Sequence, residues 1–255
     1  MTTTDPRANG RVQLAYLHSG KVGHNFHESM MRMVAFDAAN EQRVVSTEGP
    51  FSIMTGTVDV PGNRNFGTAK FLDETDHEWL MWIDTDMGFM PDSVEALIDA
   101  ADPDQRPIVG GLCFSVRAVA YDGFGGARTG IRPTLFMFAK NDEGQAGFKN
   151  WPYYTPGEVL QVAGTGAAFL LIHRSALETM REKFGDDWWT MSRYENGSHL
   201  SEDLSFCARA GQLSIPVFVH TGVKTTHHKQ IWAGEMDYVM PERADVPDLG
   251  GDPGE

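Results

Sequence analysis

The sequence predicts an α/β fold in which a mostly parallel central sheet is flanked by helices. Three observations lead there. Strand-like and helix-like stretches alternate along the first half of the chain. The run Trp79-Leu80-Met81-Trp82-Ile83 is apolar at every position, as a buried strand is, and it ends in two carboxylates, Asp84 and Asp86. The chain has 255 residues and 41% hydrophobic content, enough to bury a substantial core as one large domain or two fused halves.

Taken in order, "VQLAYLH" (12–18) reads as the first strand, and "FHESMMRMVAFDAAN" (26–40) carries apolar residues at helical spacing. "RVVS" (43–46) predicts a second strand. The stretch 47–62 is rich in turn formers and shows no clear period. "NRNFGTAKFLDET" (63–75) predicts a helix with Asn63 or Asn65 as its cap. The carboxylate strand follows, then a helix over 91–101 with Pro91 in its first turn, then a strand in "PIVGGLCFS" (107–115). Beyond Arg117 glycines and aromatics dominate, with one hairpin expected over 134–151, its turn at "NDEG" (141–144). "GTGAAFLLIHRSALETMREKF" (164–184) predicts a glycine loop, a strand and a helix. "SEDLSFCARAG" (201–211) predicts a helix capped by Ser201 and ended by Gly211, and "IPVFVHTGVKTTHHKQIW" (215–232) a strand and a loop dense in His and Lys.

Composition excludes several function classes. The formal net charge of -14 argues against general nucleic-acid binding, which needs clustered Lys and Arg. No apolar stretch approaches the roughly 20 residues of a membrane-spanning helix. Residues 1–10 are polar, without the apolar core of a signal peptide, so a flexible N-terminus and a cytoplasmic protein are expected. Cys113 and Cys207 are too few for a disulfide framework, match no zinc spacing, and are expected to be buried thiols. Residues 233–255, acidic and rich in Pro and Gly, are expected to be a mobile tail.

Two carboxylates one residue apart at the mouth of a core strand raise each other's pKa, and partial burial disfavours both charges. Something positive is therefore expected beside Asp84 and Asp86: a basic side chain, the start of the next helix, or a divalent cation. The plain alternative is a strand end and a turn solvated by water. In an open sheet of this kind ligands bind beyond the carboxyl ends of the strands, where these residues fall.

The ordered set "NRN", "DTD", "GTGAAFLLIHRSALE", "SEDLSFC" and "HHK" resembles the GT-A, Rossmann-like class of nucleotide-sugar-dependent glycosyltransferases, with a family-2-like DXD motif. The resemblance covers roughly residues 11–232. It implies a single domain there, divided into a nucleotide-sugar-binding half (11–115) and an acceptor-side half (116–232). It also implies an enzyme of the hexosyltransferase type, a nucleoside-diphosphate sugar donor such as a UDP- or GDP-sugar, and a glycan or protein hydroxyl as acceptor.

By the same resemblance the Asp-x-Asp binds Mn2+ or Mg2+ and, through it, the donor diphosphate. Asp86 is then the direct ligand, Asp84 reaches the ribose or the metal's water shell, and His227 completes the shell, with His228 as the fallback. One imidazole would shift the preference toward manganese. Thr85 lies between the two carboxylates. Arg64 and Asn65 correspond to a pair near the nucleotide, although a capping Asn beside a surface Arg reads equally well. His18, Ser19 and Gly20 follow the first strand where the class surrounds base and ribose, and Lys229 is placed to meet a phosphate oxygen. Asp203, with Glu202 adjacent, matches the general base of inverting members; a first-turn acidic pair complementing a helix dipole is the alternative, and retaining members lack a dedicated base. Gly164 and Gly166 would let a sugar approach the backbone, while Trp151, Trp188 and Trp189 either stack on acceptor sugars or line the core. Two rival functions remain: a catalytically silent nucleotide-sugar-binding module, and a haloacid-dehalogenase-like phosphatase, in which the Asp-x-Asp usually ends the first strand.

Overall fold

The computed structural model describes residues 11–40, 43–56, 59–121, 127–140, 146–193 and 199–229. The expected flexible N-terminus, the "NDEG" turn and the acidic tail lie outside the described residues. In chain order the first half runs β1 (Val12–His18), α1 (His24–Ala39), β2 (Phe51–Met54), α2 (Val60–Glu74), β3 (Trp79–Ile83), β4 (Met87–Gly88), α3 (Ser93–Ala100), β5 (Ile108–Leu112) and β6 (Phe114–Tyr121). The rest runs β7 (Ala127–Pro133), β8 (Leu135–Lys140), β9 (Ala146–Asn150), β10 (Val159–Val162), β11 (Gly164–Thr165), β12 (Phe169–His173), α4 (Arg174–Phe184), β13 (Ser192–Arg193), β14 (His199–Leu200), α5 (Glu202–Gln212), β15 (Val217–Lys224) and β16 (Thr226–His227). The described residues form two units, one drawn from Met1–Ser115 and Arg132–His228, the other from Val116–Ile131 and Lys229–Glu255.

In the first unit a seven-stranded sheet has the order β10-β15-β5-β12-β3-β1-β2. The pairs β2·β1, β1·β3 and β5·β15 are parallel, and β12 is antiparallel to both β3 and β5. Strands β2, β1, β3, β5 and β15 therefore all point the same way, and β12 and β10 run against them. The predicted α/β class with a mostly parallel central sheet flanked by helices is what forms.

Side chains alternate across the sheet, so β3 feeds two cores at once. Leu80 and Trp82 pack with Phe71 of α2, Leu177 and Met180 of α4, and Phe206 of α5. Trp79, Met81 and Ile83 face the other way, among Phe26 and Met33 of α1 and Val94, Leu97 and Ile98 of α3.

Several boundaries differ from expectation, each for a visible reason. "RVVS" is not a strand: it makes an isolated bridge, Val12 with Val45, while Asp37 Oδ1 takes the N–H groups of Val44 and Val45. The sheet's edge strand is instead β2, inside the stretch whose turn formers masked it. Helix α2 starts at Val60 and is capped by Asp59, whose side chain accepts from Gly62 N at 2.9 Å. Asn63 and Asn65 thus lie within the helix and do not cap it. Ser201 caps α5 as expected, but the helix continues through Gly211 to Gln212, and the left-handed residue beyond it is Ser214 (φ 59°).

Candidate functional site

The carboxyl end of β3 gathers residues from every part of the first unit. Asp84 N–H donates to Ala168 O (2.8 Å), which ties the strand end to the loop leading into β12. Its Oδ1 accepts from Arg64 Nη2 at 2.9 Å. Arg64, 2% exposed, lies against two indoles, 5.5 Å from the Trp82 ring centroid and 5.1 Å from that of Trp189. Burial works against its charge, but Asp84, Asp203 and Glu202 outweigh that and raise its pKa. The positive group demanded beside Asp84 is therefore a buried arginine and not a surface one.

Asp86 has a different partner. Its Oδ2 lies 3.1 Å from His227 Nε2, and its backbone oxygen accepts from His228 N at 2.9 Å. What was expected to be a loop is a short strand: β16 pairs antiparallel with β4, Thr226 opposite Gly88 and His227 opposite Met87. A Cβ on Gly88 would meet Thr226 Oγ1 at 2.5 Å, so any side chain there would have to displace that hydroxyl. His227 Nδ1 lies 2.8 Å from Phe114 O. A carbonyl only accepts, so Nδ1 carries the proton and a neutral ring turns its Nε2 lone pair toward Asp86. Two acceptors at 3.1 Å repel unless a proton or a cation lies between them. This carbonyl-anchored imidazole facing a carboxylate is also how metal-binding histidines are held. The donor set of one carboxylate and one imidazole fits Mn2+, with Mg2+ favouring the oxygen alone. Among the described residues no group of three or more His, Cys, Asp or Glu side chains is assembled to hold a metal ion.

Asp203 opens α5, with Ser201 Oγ accepting from Leu204 N behind it. It accepts a hydrogen bond from Ala167 N–H, and its Oδ1 lies 4.0 Å from Arg64 Nη2. The side chain is 26% exposed, yet Oδ1 itself is shielded from solvent and has no hydrogen-bond partner. Burial pushes its pKa up to about 7 against the pull of Arg64, with Glu202 and Asp84 adding to the rise. Glu202 is half-buried beside it. Gly166 lies alongside: a Cβ there would be 3.7 Å from Asp203 Oδ2 and 3.6 Å from Thr134 Oγ1. Gly164 has a packing reason, since a Cβ would come within 2.8 Å of both Leu204 and Phe148.

The loop after β1 is stitched to the same place. Thr85 Oγ1 donates to Leu17 O (3.1 Å), and Gly23 N–H donates to Thr85 O (2.8 Å). Thr85 O would lie 2.9 Å from a Cβ on Gly23, so the approach needs glycine. Gly20, at φ +87°, bends back so that its N–H reaches His18 Nδ1 at 3.0 Å. Nε2 of His18 is thereby left as the ring's donor. Ser19 is exposed next to it.

The structure thus brings His18, Arg64, Asp84, Thr85, Asp86, Asp203 and His227 to the strand ends. Asn65 is engaged elsewhere: both ends of its amide bond Trp189 backbone groups at 2.9 Å, which braces α2 against that segment. Trp188 and Trp189 are fully buried core residues, whereas Trp151 is 43% exposed and lies edge-on to Tyr153. Lys229 is exposed and belongs to the second unit. Cys113 and Cys207 are buried, their thiols pushed by burial to about 12. Three contributors are not evident from the sequence, Gly23, the Phe114 carbonyl and the Ala167 amide. All three act through the backbone, and only Gly23 has a sequence signal, a glycine just before a helix.

No family model and no curated protein sequence matches the chain. Among solved structures it is similar to GalNAc-T7 with UDP, GalNAc and Mn2+, with a TM-score of 0.53 and 8% identity over 86% of this chain and 43% of that one. The fold is GT-A-like. At that identity the likeness is one of fold, and it spans under half of the GalNAc-T7 chain. Two further matches are more distant in shape: A197 from STIV (TM-score 0.48, 16% identity, 86% of each chain), and CMP:2-keto-3-deoxy-manno-octonic acid synthetase complexed with CTP (0.42, 13%, 82% of this chain and 89% of that). Among the described residues no helix is long and apolar enough to cross a membrane.

Proposed function

We infer that this protein is a metal-dependent glycosyltransferase that moves a hexose from a nucleoside-diphosphate donor to a hydroxyl of an acceptor. The observation that carries the reading is the Asp86–His227 pair, 3.1 Å apart and fixed in place by the Phe114 carbonyl and the β4·β16 pairing. A chain of net charge -14 that accepts an anionic diphosphate beside acidic residues needs a cation between them. Asp86 and His227 would hold Mn2+ or Mg2+. The similarly folded GalNAc-T7 was solved with UDP, GalNAc and Mn2+, the same combination. Two protein ligands leave the other positions to donor phosphate oxygens and water, the usual arrangement for a nucleotide-linked divalent ion. The bound ion would act as a Lewis acid toward the charge that develops on the leaving diphosphate.

The protein's own groups do the rest. His18, Ser19 and Gly20 border the nucleoside through backbone groups and the His18 Nε2–H, and Thr85 fixes that loop to the metal carboxylate. Asp84, neutralised by Arg64, faces the ribose or the water shell. Asp203 takes the proton of the acceptor hydroxyl at Oδ2, the oxygen beside Gly166, and a pKa of about 7 suits a base working near neutrality. A glycan acceptor is favoured by Trp151 and Tyr153, whose exposed rings lie 5.5 Å apart. Trp151 N–H bonds Leu135 O, and Leu135 pairs with Thr165, so the Trp151 backbone lies about two strand spacings from Thr165, the neighbour of Gly166.

A thermal-shift panel of UDP-, GDP-, TDP- and CMP-sugars with and without manganese finds the donor, because a ligand bound only by the native state stabilises it. With that donor, Asp203→Asn should lower transfer by roughly 10²–10⁴-fold and leave donor affinity unchanged, while Glu202→Gln stays active. Donor binding without turnover in wild type would make the chain a silent binding module. Full activity of both variants would point to a retaining mechanism.

A further inference from the structure

We propose that Arg64 is the positioning residue that holds Asp203 in register with the strand end at Asp84. This rests on the assignment of Asp203 as base. Four elements meet at one guanidinium: Arg64 from α2, Asp84 from the end of β3, the 167–168 segment before β12, and Asp203 from α5. Nη2 bonds Asp84 Oδ1 at 2.9 Å and lies 4.0 Å from Asp203 Oδ1. Nη1 donates to Ala167 O at 3.3 Å. The amide of that same Ala167 donates to Asp203, and Ala168 O takes the N–H of Asp84. Arg64 therefore reaches the base twice, once across space and once through Ala167, whose carbonyl it bonds and whose amide bonds Asp203. The planar fork is what allows this, since a lysine ammonium cannot span two carboxylates and a carbonyl in one plane.

Two indoles, set edge to face with one another, pack against Arg64 and limit where the fork can move. Asp203 Oδ1 and Arg64 Nε, both buried, have no hydrogen-bond partner. Nη2 bonds Asp84 and not Asp203, whose Oδ1 is buried toward the guanidinium without a donor while Oδ2 lies on the Gly166 side. A carboxylate bonded tightly by the guanidinium would be a poor proton acceptor. At 4.0 Å it receives the charge's field without the bond. The other groups facing Asp203 are Asp84 and Glu202, which oppose its ionisation, and the thiols of Cys113 and Cys207, which remain neutral.

The test is the carboxyl titration of Asp203, followed by carbon-13 NMR in the full chain without any donor, in wild type, Arg64→Lys and Arg64→Met. Because no sugar or metal is added, the result stands or falls separately from the transferase reading. An opposite charge at this range lowers a carboxyl pKa by about 1–3 units, so Arg64→Met should move the Asp203 midpoint upward by about that much, with Arg64→Lys between the two. Near-ultraviolet circular dichroism from Trp82 and Trp189 reports whether each variant keeps the packed site. If Arg64→Met does not fold, Arg64→Lys decides on the same criterion. A wild-type midpoint in every variant that folds would overturn the proposal. An arginine whose charge did not reach Asp203 would, on replacement, lower stability and leave the midpoint where it is.

Discussion

Replacing Asp203 with Asn should make the protein more stable, and more so as the pH rises. The folded carboxyl titrates near 7 against 3.8 in its ordinary setting, chiefly because burial penalises the charged form. A raised pKa means that the native state binds the proton more tightly than the unfolded chain. Its contribution is fully present below the unfolded value and is lost as pH rises through the folded one. From 3.8 to about 7 is roughly three pKa units, or on the order of 4 kcal/mol of penalty once the group is ionised in the fold. Part of it is already present at pH 5, because the unfolded carboxyl is then ionised. Between pH 5 and pH 8 the stability gap between Asp203→Asn and wild type should widen by about 2–3 kcal/mol, or about 5–10 °C in Tm. The attraction of Arg64 for the ionised carboxylate is already contained in the value of about 7, so it adds no separate term over this range. Urea denaturation of both proteins at pH 5, 6, 7 and 8 measures the gap. A constant or narrowing gap would show that the carboxylate is stabilised by its surroundings, and the case for a base poised near neutrality would fail.

Three further outcomes follow from the same geometry. His227→Ala should weaken metal-dependent nucleotide binding by about 1–3 kcal/mol in calorimetry, the cost of one strong polar contact, and leave the fold intact. Gly166→Ala adds a methyl at ordinary contact distance from Thr134 and Asp203 Oδ2, so stability in urea should change by less than about 0.5 kcal/mol while transfer falls because the base is screened. Asn65→Ala removes two hydrogen bonds to the Trp189 backbone and should cost about 1–3 kcal/mol of stability, with nucleotide binding unchanged in the protein that remains folded.

Much of the fold was legible because β1, β3 and β12 are apolar enough to be read as buried strands, and α1, α4 and α5 carry apolar faces at helical spacing. The edge strand β2 was hidden because only Ile53 in it is buried, and an edge strand has little need of apolar residues. The start of α2 was misread for a related reason. Asp59 caps the helix through a Val-Pro-Gly opening that looks like a turn in sequence, while two asparagines further on imitate caps. At the site, the Asp-x-Asp and the late histidines were visible as residue types at strand ends. What joins them was not: the β4·β16 pair is two residues long on each side, and His227 is aimed by a backbone carbonyl, which has no residue signature. Arg64 was visible, but not that it is buried against two tryptophans, because its helix carries few apolar neighbours to mark that face as interior.

If Asp86 and His227 bind a nucleotide through a divalent cation, titration calorimetry of UDP and GDP into the full chain will show it. At least one of the two should bind with manganese present, binding should be lost with EDTA, and Asp86→Ala, still folded, should bind neither in manganese. Equal affinity with and without the metal, or an Asp86→Ala protein that binds as wild type does, would contradict it.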